Sequence, residues 1–414
     1  MKVSRVRLSY KIILNRVSII FILSMFLLLS SIVPQVAANE TDWPLFAHDA
    51  KNTCFSVGDA PDTSNLIWSN EGHGGWQTFP LAVDQYLYMS IPDGSIYQLN
   101  AHTGELGWEY HTGAHVVQIP GLAYGDGKIY AGSYVDRRVY ALDKVDGSLD
   151  WAYDTNGAIG SPPTYYDGVV YVVCQAGNLY ALDSNTGTEI WVASLGGYLG
   201  TPAISNDRLV LGSWNGPVQA IDLDTGSVLW SFPAGIVRPP AIHENMVIFK
   251  ARNGPVYALN VMDGSLIWEQ DGTWGEGGNP AIAYGRVFFV WGGTATAWSL
   301  DINTGDILWE VNYGSGIPTN AHIGAVADGK LYCGGGQSIY ALDVSDGSTI
   351  WSYNTGNDMS SSPTIAYGIL FMGSGNTMHA FALRPAFVIP EIPYGAAASL
   401  LIMIIVLFWY NCYA

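Results

Sequence analysis

The chain has 414 residues, 49% of them hydrophobic and 13% charged, with 35 Asp and Glu against 17 Lys and Arg. That much apolar material can bury a large core, while the acidic balance excludes the clustered cations on which phosphate-backbone binding depends, so nucleic acid is not expected as a partner. Cys54, Cys174, Cys333 and Cys412 have no close spacing, which excludes a metal knuckle or a disulfide framework and reads as structural thiols.

In chain order, residues 1–38 come first. Lys2, Arg5, Arg7, Lys11 and Arg16 precede an uncharged stretch over 17–33, followed by the small residues Val36, Ala37 and Ala38. This reads as a secretory signal cleaved after Ala38, with an uncleaved signal anchor as the alternative. Either reading exports the body. Removing five positive charges from a net charge of −18 leaves about −23.

Residues 39–385 are dominated by one period. Trp68, Trp108, Trp151, Trp191, Trp230, Trp268, Trp309 and Trp351 are separated by 40, 43, 40, 39, 38, 41 and 42 residues. A repeat of about 40 residues rich in short strand patterns predicts a propeller blade. In the third unit, Ser161-Pro-Pro-Thr-Tyr-Tyr, Val169-Val-Tyr-Val-Val, Leu179-Tyr-Ala-Leu-Asp183 and Glu189-Ile-Trp191 are separated by Asp167-Gly, Gly177-Asn and Thr186-Gly187. These are four strands joined by hairpin turns. Pro80, Pro120, Pro162, Pro202, Pro240, Pro280, Pro318 and Pro363 mark the start of the first strand in each unit, where no ladder N–H is needed. The eighth unit stops at Arg384-Pro385 without its Trp strand, and Ser64-Asn-Leu-Ile-Trp68 supplies one from the other end. The expectation is an all-β, eight-bladed propeller of four-stranded antiparallel blades, its ring closed by an N-terminal strand that completes the last blade.

Tyr180-Ala-Leu-Asp-Ser-Asn-Thr-Gly-Thr-Glu-Ile-Trp191 resembles the tryptophan-docking motif of pyrroloquinoline quinone (PQQ) repeat propellers, Ala-x-Asp-x-x-Thr-Gly-x-x-x-Trp. Copies run from Ala141 to Trp151, Ala220 to Trp230, Ala258 to Trp268, Ser299 to Trp309 and Ala341 to Trp351, while the copy from Gln98 to Trp108 replaces both Ala and Asp. The motif's chemistry is structural. Gly supplies the turn's backbone angles, the carboxylate bonds turn amides, Ala permits close approach, and Trp closes the joint between blades. The eight Trp are therefore read as scaffold.

The resemblance implies two kinds of relative. PQQ-dependent alcohol dehydrogenases carry an axial quinone, a calcium ion held by carboxylate and amide side chains, and a catalytic aspartate. Many also carry an adjacent cysteine pair, which this sequence lacks, and no aspartate here matches the catalytic one. The bacterial lipoprotein of outer-membrane protein assembly is a nonenzymatic disk that binds proteins through rims and loops. Neither a nucleophile elbow, a Gly-Lys phosphate loop, a haem Cys-x-x-Cys-His nor a His-Glu-x-x-His motif is present. No catalytic residue and no metal ligand is assigned.

The connections from each Trp strand to the next Pro lead toward the axis at one face and form the search space for a site. They contain Trp76, Gln77, His115, Gln118, Tyr198, Arg238, Trp274, Glu276, Asn279 and Asp358, with Ser161 and Ser315. Rings, amides and isolated charges of this kind can line a polar ligand site at a funnel mouth. Gly272-Thr-Trp-Gly-Glu-Gly-Gly-Asn279 is the most distinctive, since its glycines leave Trp274 and Glu276 room to project. His115 and His322 read as loop residues rather than ligands.

Residues 386–393 form a Pro-rich linker or sorting signal, and 394–414 contain no charge and read as a transmembrane helix. Val388-Ile-Pro-Glu-Ile-Pro-Tyr394 resembles the short signals that precede C-terminal helices in archaeal surface proteins, without their usual basic tail. The sequence thus predicts a disk at the cell surface, anchored in the membrane by its C-terminal helix, that acts as a nonenzymatic scaffold for a protein or glycan partner. No cofactor is expected on this reading. A dehydrogenase-like enzyme using PQQ and calcium is the alternative, and a glycan-binding propeller a third.

Overall fold

A computed structural model describes residues 42–382 except 73–78, 92, 114–120, 198–199, 215, 236–237, 253, 273–277, 292 and 315–323. The described residues contain strands and turns and no helix, arranged as eight antiparallel blades of four strands, one of which carries a fifth strand at its inner edge. The leader over 1–38, the linker and the apolar segment over 394–414 lie outside the described residues.

The third blade follows its sequence pattern closely. Thr164–Tyr166, Val169–Val173, Asn178–Asp183 and Glu189–Ser194 pair in order. Asp167 and Gly168 both adopt positive φ, 47° and 79°, the backbone of a hairpin turn whose twist matches its strands. The first strand starts within two residues of a proline in seven blades. In the seventh blade it begins at Ala325, so Pro318 does not mark it.

First strands of neighbouring blades lie side by side around the ring, and that of blade 8, Thr364–Ala366, lies beside that of blade 1, Leu81–Val83. Thr364 Oγ1 donates to Pro80 O across this joint at 2.7 Å. Leu66–Glu71 pairs antiparallel with Thr377–Ala382 and completes blade 8. The ring is closed by the expected strand, which removes an open sheet edge.

Each outermost strand bulges beside its tryptophan, as where Ala141 pairs with Trp151 and Leu142 with Leu149, leaving Asp150 as the extra residue. A bulge re-aims the adjoining side chain, and here it turns the indole toward the next blade. Trp68, Trp108, Trp151, Trp191, Trp230, Trp268 and Trp309 donate their ring N–H to the carbonyls of Ala101, Lys144, Ser184, Leu223, Val261, Ile302 and Val344 at 2.9 to 3.0 Å. The indole lies over the next blade's turn glycine: a methyl group on Gly187 would come 2.6 Å from Trp151, and one on Gly264 would come 2.7 Å from Trp230. Glycine is needed there for room as well as for its φ of about 70°. Trp351 has no such turn to meet, and Pro61 O in the chain approaching blade 8 accepts its N–H at 3.0 Å. Covering roughly 100 Å² of each indole contributes about 2–3 kcal/mol per joint.

The turn carboxylates act as expected. Asp183 Oδ1 accepts from the Asn185 and Thr186 amides and from Thr186 Oγ1. In the divergent first copy Asn100 Oδ1 accepts from the His102 and Thr103 amides, so the amide does the work of the carboxylate. Cys54, Cys174 and Cys333 are free and buried, as structural thiols should be, although Cys174 sits one residue beyond its strand.

An unforeseen element fills the ring. Residues 43–54 wind around the inner edge of the first strands: Trp43 pairs with Ala82 of blade 1, Pro44 O accepts from Tyr124 of blade 2, Ala50 O from Ile204 of blade 4, Lys51 O from Ile242 of blade 5, Thr53 O from Ile282 of blade 6 and Cys54 O from Val326 of blade 7. Phe55–Ser56 then adds a parallel strand to blade 7. Buried Asn52 donates through Nδ2 to Pro202 O at 3.1 Å and to Pro240 O at 3.0 Å. One segment satisfies inner-edge amides from six blades, whose polar groups would otherwise face the channel.

The strand directions give the disk two unlike faces. One, the turn face, carries the hairpins between first and second and between third and fourth strands. Asp42 meets Tyr367 there through a 2.7 Å hydrogen bond, and the last described strand also ends there at Ala382. The other, the connection face, carries the second-to-third hairpins and the links between blades.

Candidate functional site

On the connection face, described parts of the links are held to neighbouring hairpins by main-chain bonds, such as Gln175 N to Ala158 O at 2.8 Å, Gly200 N to Gly212 O at 3.0 Å and Gly278 N to Val290 O at 3.0 Å. Side chains on these links and hairpins are therefore presented from a fixed frame.

Three of the ten expected site residues fall among the described ones. Arg238 lies on the link between blades 4 and 5, with its guanidinium 5.6 Å from the ring centre of Trp214. Arg252, from the hairpin of blade 5, lies 5.8 Å from the same ring. One indole bearing two guanidinium groups is a cation–π arrangement. Asn279, on the link between blades 5 and 6, is 4% exposed, and its Nδ2 has no hydrogen-bond partner among the described residues. Asp358 is exposed on the link between blades 7 and 8, where its carbonyl accepts from Gly375 N at 2.9 Å. Trp76, Gln77, His115, Gln118, Tyr198, Trp274 and Glu276, with Ser315 and His322, lie outside the described residues. Arg238 and Asn279 thus occupy successive links, and Asp358 lies two links further round.

Lys250 adds to the same sector. It is 1% exposed and donates through Nζ to Ala251 O at 3.2 Å. Ile248, two residues earlier on the strand, packs against blade 6 in a cluster with Ile282 and Val287, so strand alternation sends Lys250 out on that side too. The same place in the register of other blades is held by Ser90, Gly132, Val173, Val290, Gly334 and Gly373. A buried cation at a place otherwise filled by small or apolar groups departs from what the repeat requires. Blades 4 to 6 therefore gather two arginines on an indole, a buried lysine and an amide donor, a set suited to acidic or acceptor-rich partners.

A second feature lies between blades 2 and 3, where an open cleft of about 570 Å³ is bordered by Tyr134, Arg137, Asn156, Gly157, Gln175 and Ala176 among others. None of these, nor Trp214, Lys250 and Arg252, was among the expected site residues, because all but Asn156 and Gly157 belong to second-to-third hairpins or strand ends outside the links. Lining up the copies would have exposed Lys250.

The cofactor implied by the dehydrogenase resemblance fits in one part. PQQ is a polycarboxylate, and Lys250, Arg238 and Arg252 are cations that suit it. Its calcium ion needs converging oxygen ligands, and no cluster of three or more His, Cys, Asp or Glu that could hold a metal occurs among the described residues. No helix of the described residues is long and apolar enough to cross a membrane.

A protein-family model described as outer membrane protein assembly factor BamB matches residues 92–234, 175–297, 214–322 and 294–384 in overlapping segments. The chain is 30% identical over 135 residues to quinohemoprotein alcohol dehydrogenase of Comamonas testosteroni, covering 29% of this chain and 19% of that protein. It is 26% identical over 187 residues to outer membrane protein assembly factor BamB of Burkholderia pseudomallei, covering 42% of this chain and 48% of that one. These matches span about a fifth and about half of the relatives' lengths. The crystal structure of the Comamonas testosteroni dehydrogenase superposes with a TM-score of 0.73 over 87% of this chain and 83% of that chain at 16% identity, a likeness of fold alone.

Proposed function

From the premise that this chain belongs to the PQQ-repeat propeller family of outer membrane protein assembly factor BamB, we propose that it is an exported, membrane-tethered recognition disk that binds a protein partner at the cell surface. The connection face does the binding. The observation that carries this reading is the stack of Arg238 and Arg252 on Trp214, since tryptophan and arginine in rigid frames are the side chains on which interface energy concentrates. Ala382 leaves the disk at the turn face, so a membrane helix over 394–414 would hold that face toward the bilayer and leave the connection face pointing away. On this reading the domain limits are 1–38 for the leader, 39–385 for the propeller, 386–393 for the linker and 394–414 for the anchor.

Photocrosslinkers placed at Gly216 on the connection face and at Ser345 on the turn face test this in the source cells. A discrete product from position 216, lost in Trp214→Ala and absent from position 345, is expected. Equal products from both positions, or none from 216, would sink the reading.

The similarity to quinohemoprotein alcohol dehydrogenase favours a second reading, in which the cations of blades 4 to 6 receive PQQ. Titrating the full chain with PQQ and calcium, followed by the quinone's absorbance, separates the two. Saturable binding that disappears in Lys250→Met would favour the dehydrogenase.

A further inference from the structure

The cleft between blades 2 and 3 is built from donors in a protein that is otherwise rich in acceptors. The whole chain carries a net charge of −18, yet none of the side chains bordering this cleft is acidic. Arg137 is exposed and forms no ion pair among the described residues. Its neighbour Arg138 is instead paired with Asp154.

Arg137 is also held in an unusual shape. Its φ is 60°, the left-handed region that costs a residue with a Cβ about 1–3 kcal/mol and is retained where its surroundings over-determine it. Those surroundings are visible: Arg137 O accepts from both the amide and Oγ1 of Thr155, each at 2.8 Å, and the same Oγ1 lies 2.8 Å from Gly157 O. The strained backbone fixes where the guanidinium begins.

Asn156 has its amide orientation set by its neighbours. Tyr180 Oη accepts from the Asn156 main-chain N–H at 3.1 Å, so its own proton goes to Asn156 Oδ1 at 2.7 Å, and Cys174 Sγ donates to the same oxygen at 3.2 Å. The side-chain oxygen is thereby occupied and Nδ2 is left as the donor end. Gln175 borders the other side, with its main chain tied to Ala158 O at 2.8 Å. Gly157, Ala158 and Ala176 give the cleft a small, apolar stretch of lining, and Gly157 packs so closely that a methyl group on it would lie 2.9 Å from Ala176. Tyr134 supplies a partly exposed ring at the rim.

We propose that this cleft is a binding site for a carboxylated sugar of the hexuronic acid type. A single guanidinium matches one carboxylate bidentately, and phosphate esters, with more charge, would call for more cations than one. The Asn156 amide donor suits a hydroxyl acceptor, and the small apolar lining and the tyrosine ring suit the C–H faces of a pyranose. The volume, about 570 Å³, lies within the range of small-ligand sites and suits one or two sugar rings. This site is separate from the sector of blades 4 to 6 and does not depend on the partner-binding reading.

The full-length chain in detergent is titrated with glucuronate, glucose and a short extended peptide containing one glutamate, by calorimetry. Glucuronate should bind saturably and glucose about tenfold or more weakly. Arg137→Gln should weaken glucuronate by about tenfold, Arg138→Gln should leave it unchanged, and Ala176→Trp, at an exposed position that fills the cleft, should abolish it. Circular dichroism and Tm confirm that each variant is folded. Absence of glucuronate binding, equal binding of glucose, or indifference to Arg137→Gln each overturns the proposal. Binding of the peptide through Arg137 without binding of glucuronate also overturns it, and assigns the cleft to a protein partner.

Discussion

The two faces of the disk are made from the same eight units and have opposite characters. Five cations described on the turn face are engaged: Lys128 lies 3.7 Å from Asp150, Lys330 lies 2.6 Å from Asp62 and 2.8 Å from Asp328, Lys144 and Arg208 pair with Asp84 and Asp207, and Arg286 donates to the carbonyls of Val344 and Ser345. In its third-to-fourth turns, carboxylates such as Asp183 and Asp222 bind their own turn amides and the glycines lie under the neighbouring indoles. On the connection face the loops differ from blade to blade. Arg137 has no counter-ion among the described residues, and Asn279 has an idle amide. The repeat prescribes the first face, and recognition is free to use the second because closure of the ring does not depend on its details.

The largest expected effect breaks the turn-face side of this contrast. Trp230→Ala removes an indole and its bond to Val261 O and should cost about 3 kcal/mol, seen as a fall of several degrees in Tm, whereas Trp214→Ala should not. Equal losses would contradict the division between scaffold and recognition surface. Next comes the axis. Asn52→Ala leaves the Pro202 and Pro240 carbonyls without their buried donor and should cost about 2 kcal/mol in denaturant unfolding.

A third effect sharpens the contrast through pH. Hydrogen bonds from Thr186 and Thr225, first from the hydroxyls and then from the amides, hold Asp183 and Asp222 below the ordinary carboxylate value of 3.8. Their folded values lie below their unfolded ones, so the stability they contribute is present above pH 3.8 and is lost as pH falls through the folded values. The double variant Thr186→Val, Thr225→Val should melt lower than the parent well above pH 3.8, and the gap should close as pH falls below 3.8 through the folded values. A gap that persists in acid would show that the threonines act by packing alone. The smallest effect is Trp214→Ala on stability itself, expected within about 0.5 kcal/mol while crosslinking at Gly216 is lost.

What could be read in advance follows the same division. Tryptophan, turn glycine and turn carboxylate recur because every joint needs the same close approach, so eight weak signals add to one strong one. Even Asn100, which breaks the motif, keeps its chemistry. Trp43, Phe46, Asn52 and Cys54 have no copies elsewhere in the chain. Ala47, His48, Asn52 and Cys54 also take positive φ, so neither period nor propensity reveals that they circle the channel. At the site, Arg238 and Asn279 were visible as polar residues in links. Arg137 and Lys250 were hidden because their importance lies in what replaces them in sister blades, and because a left-handed arginine has no composition signature.

The segment inside the ring also sets an order of events for biogenesis. It precedes every blade in the chain, yet its bonds reach blades 1, 2 and 4 to 7, and Asn65 just beyond it bonds Ala382 across 317 residues. Contacts of such sequence separation are slow to form, and three of the four strands of blade 8 do not exist until the last unit has been synthesised. A nascent chain can assemble individual meanders as they appear, but the hub around which they gather must wait. The chain can therefore carry its formed blades as an open string and become a disk only once the first and last strands of the propeller meet.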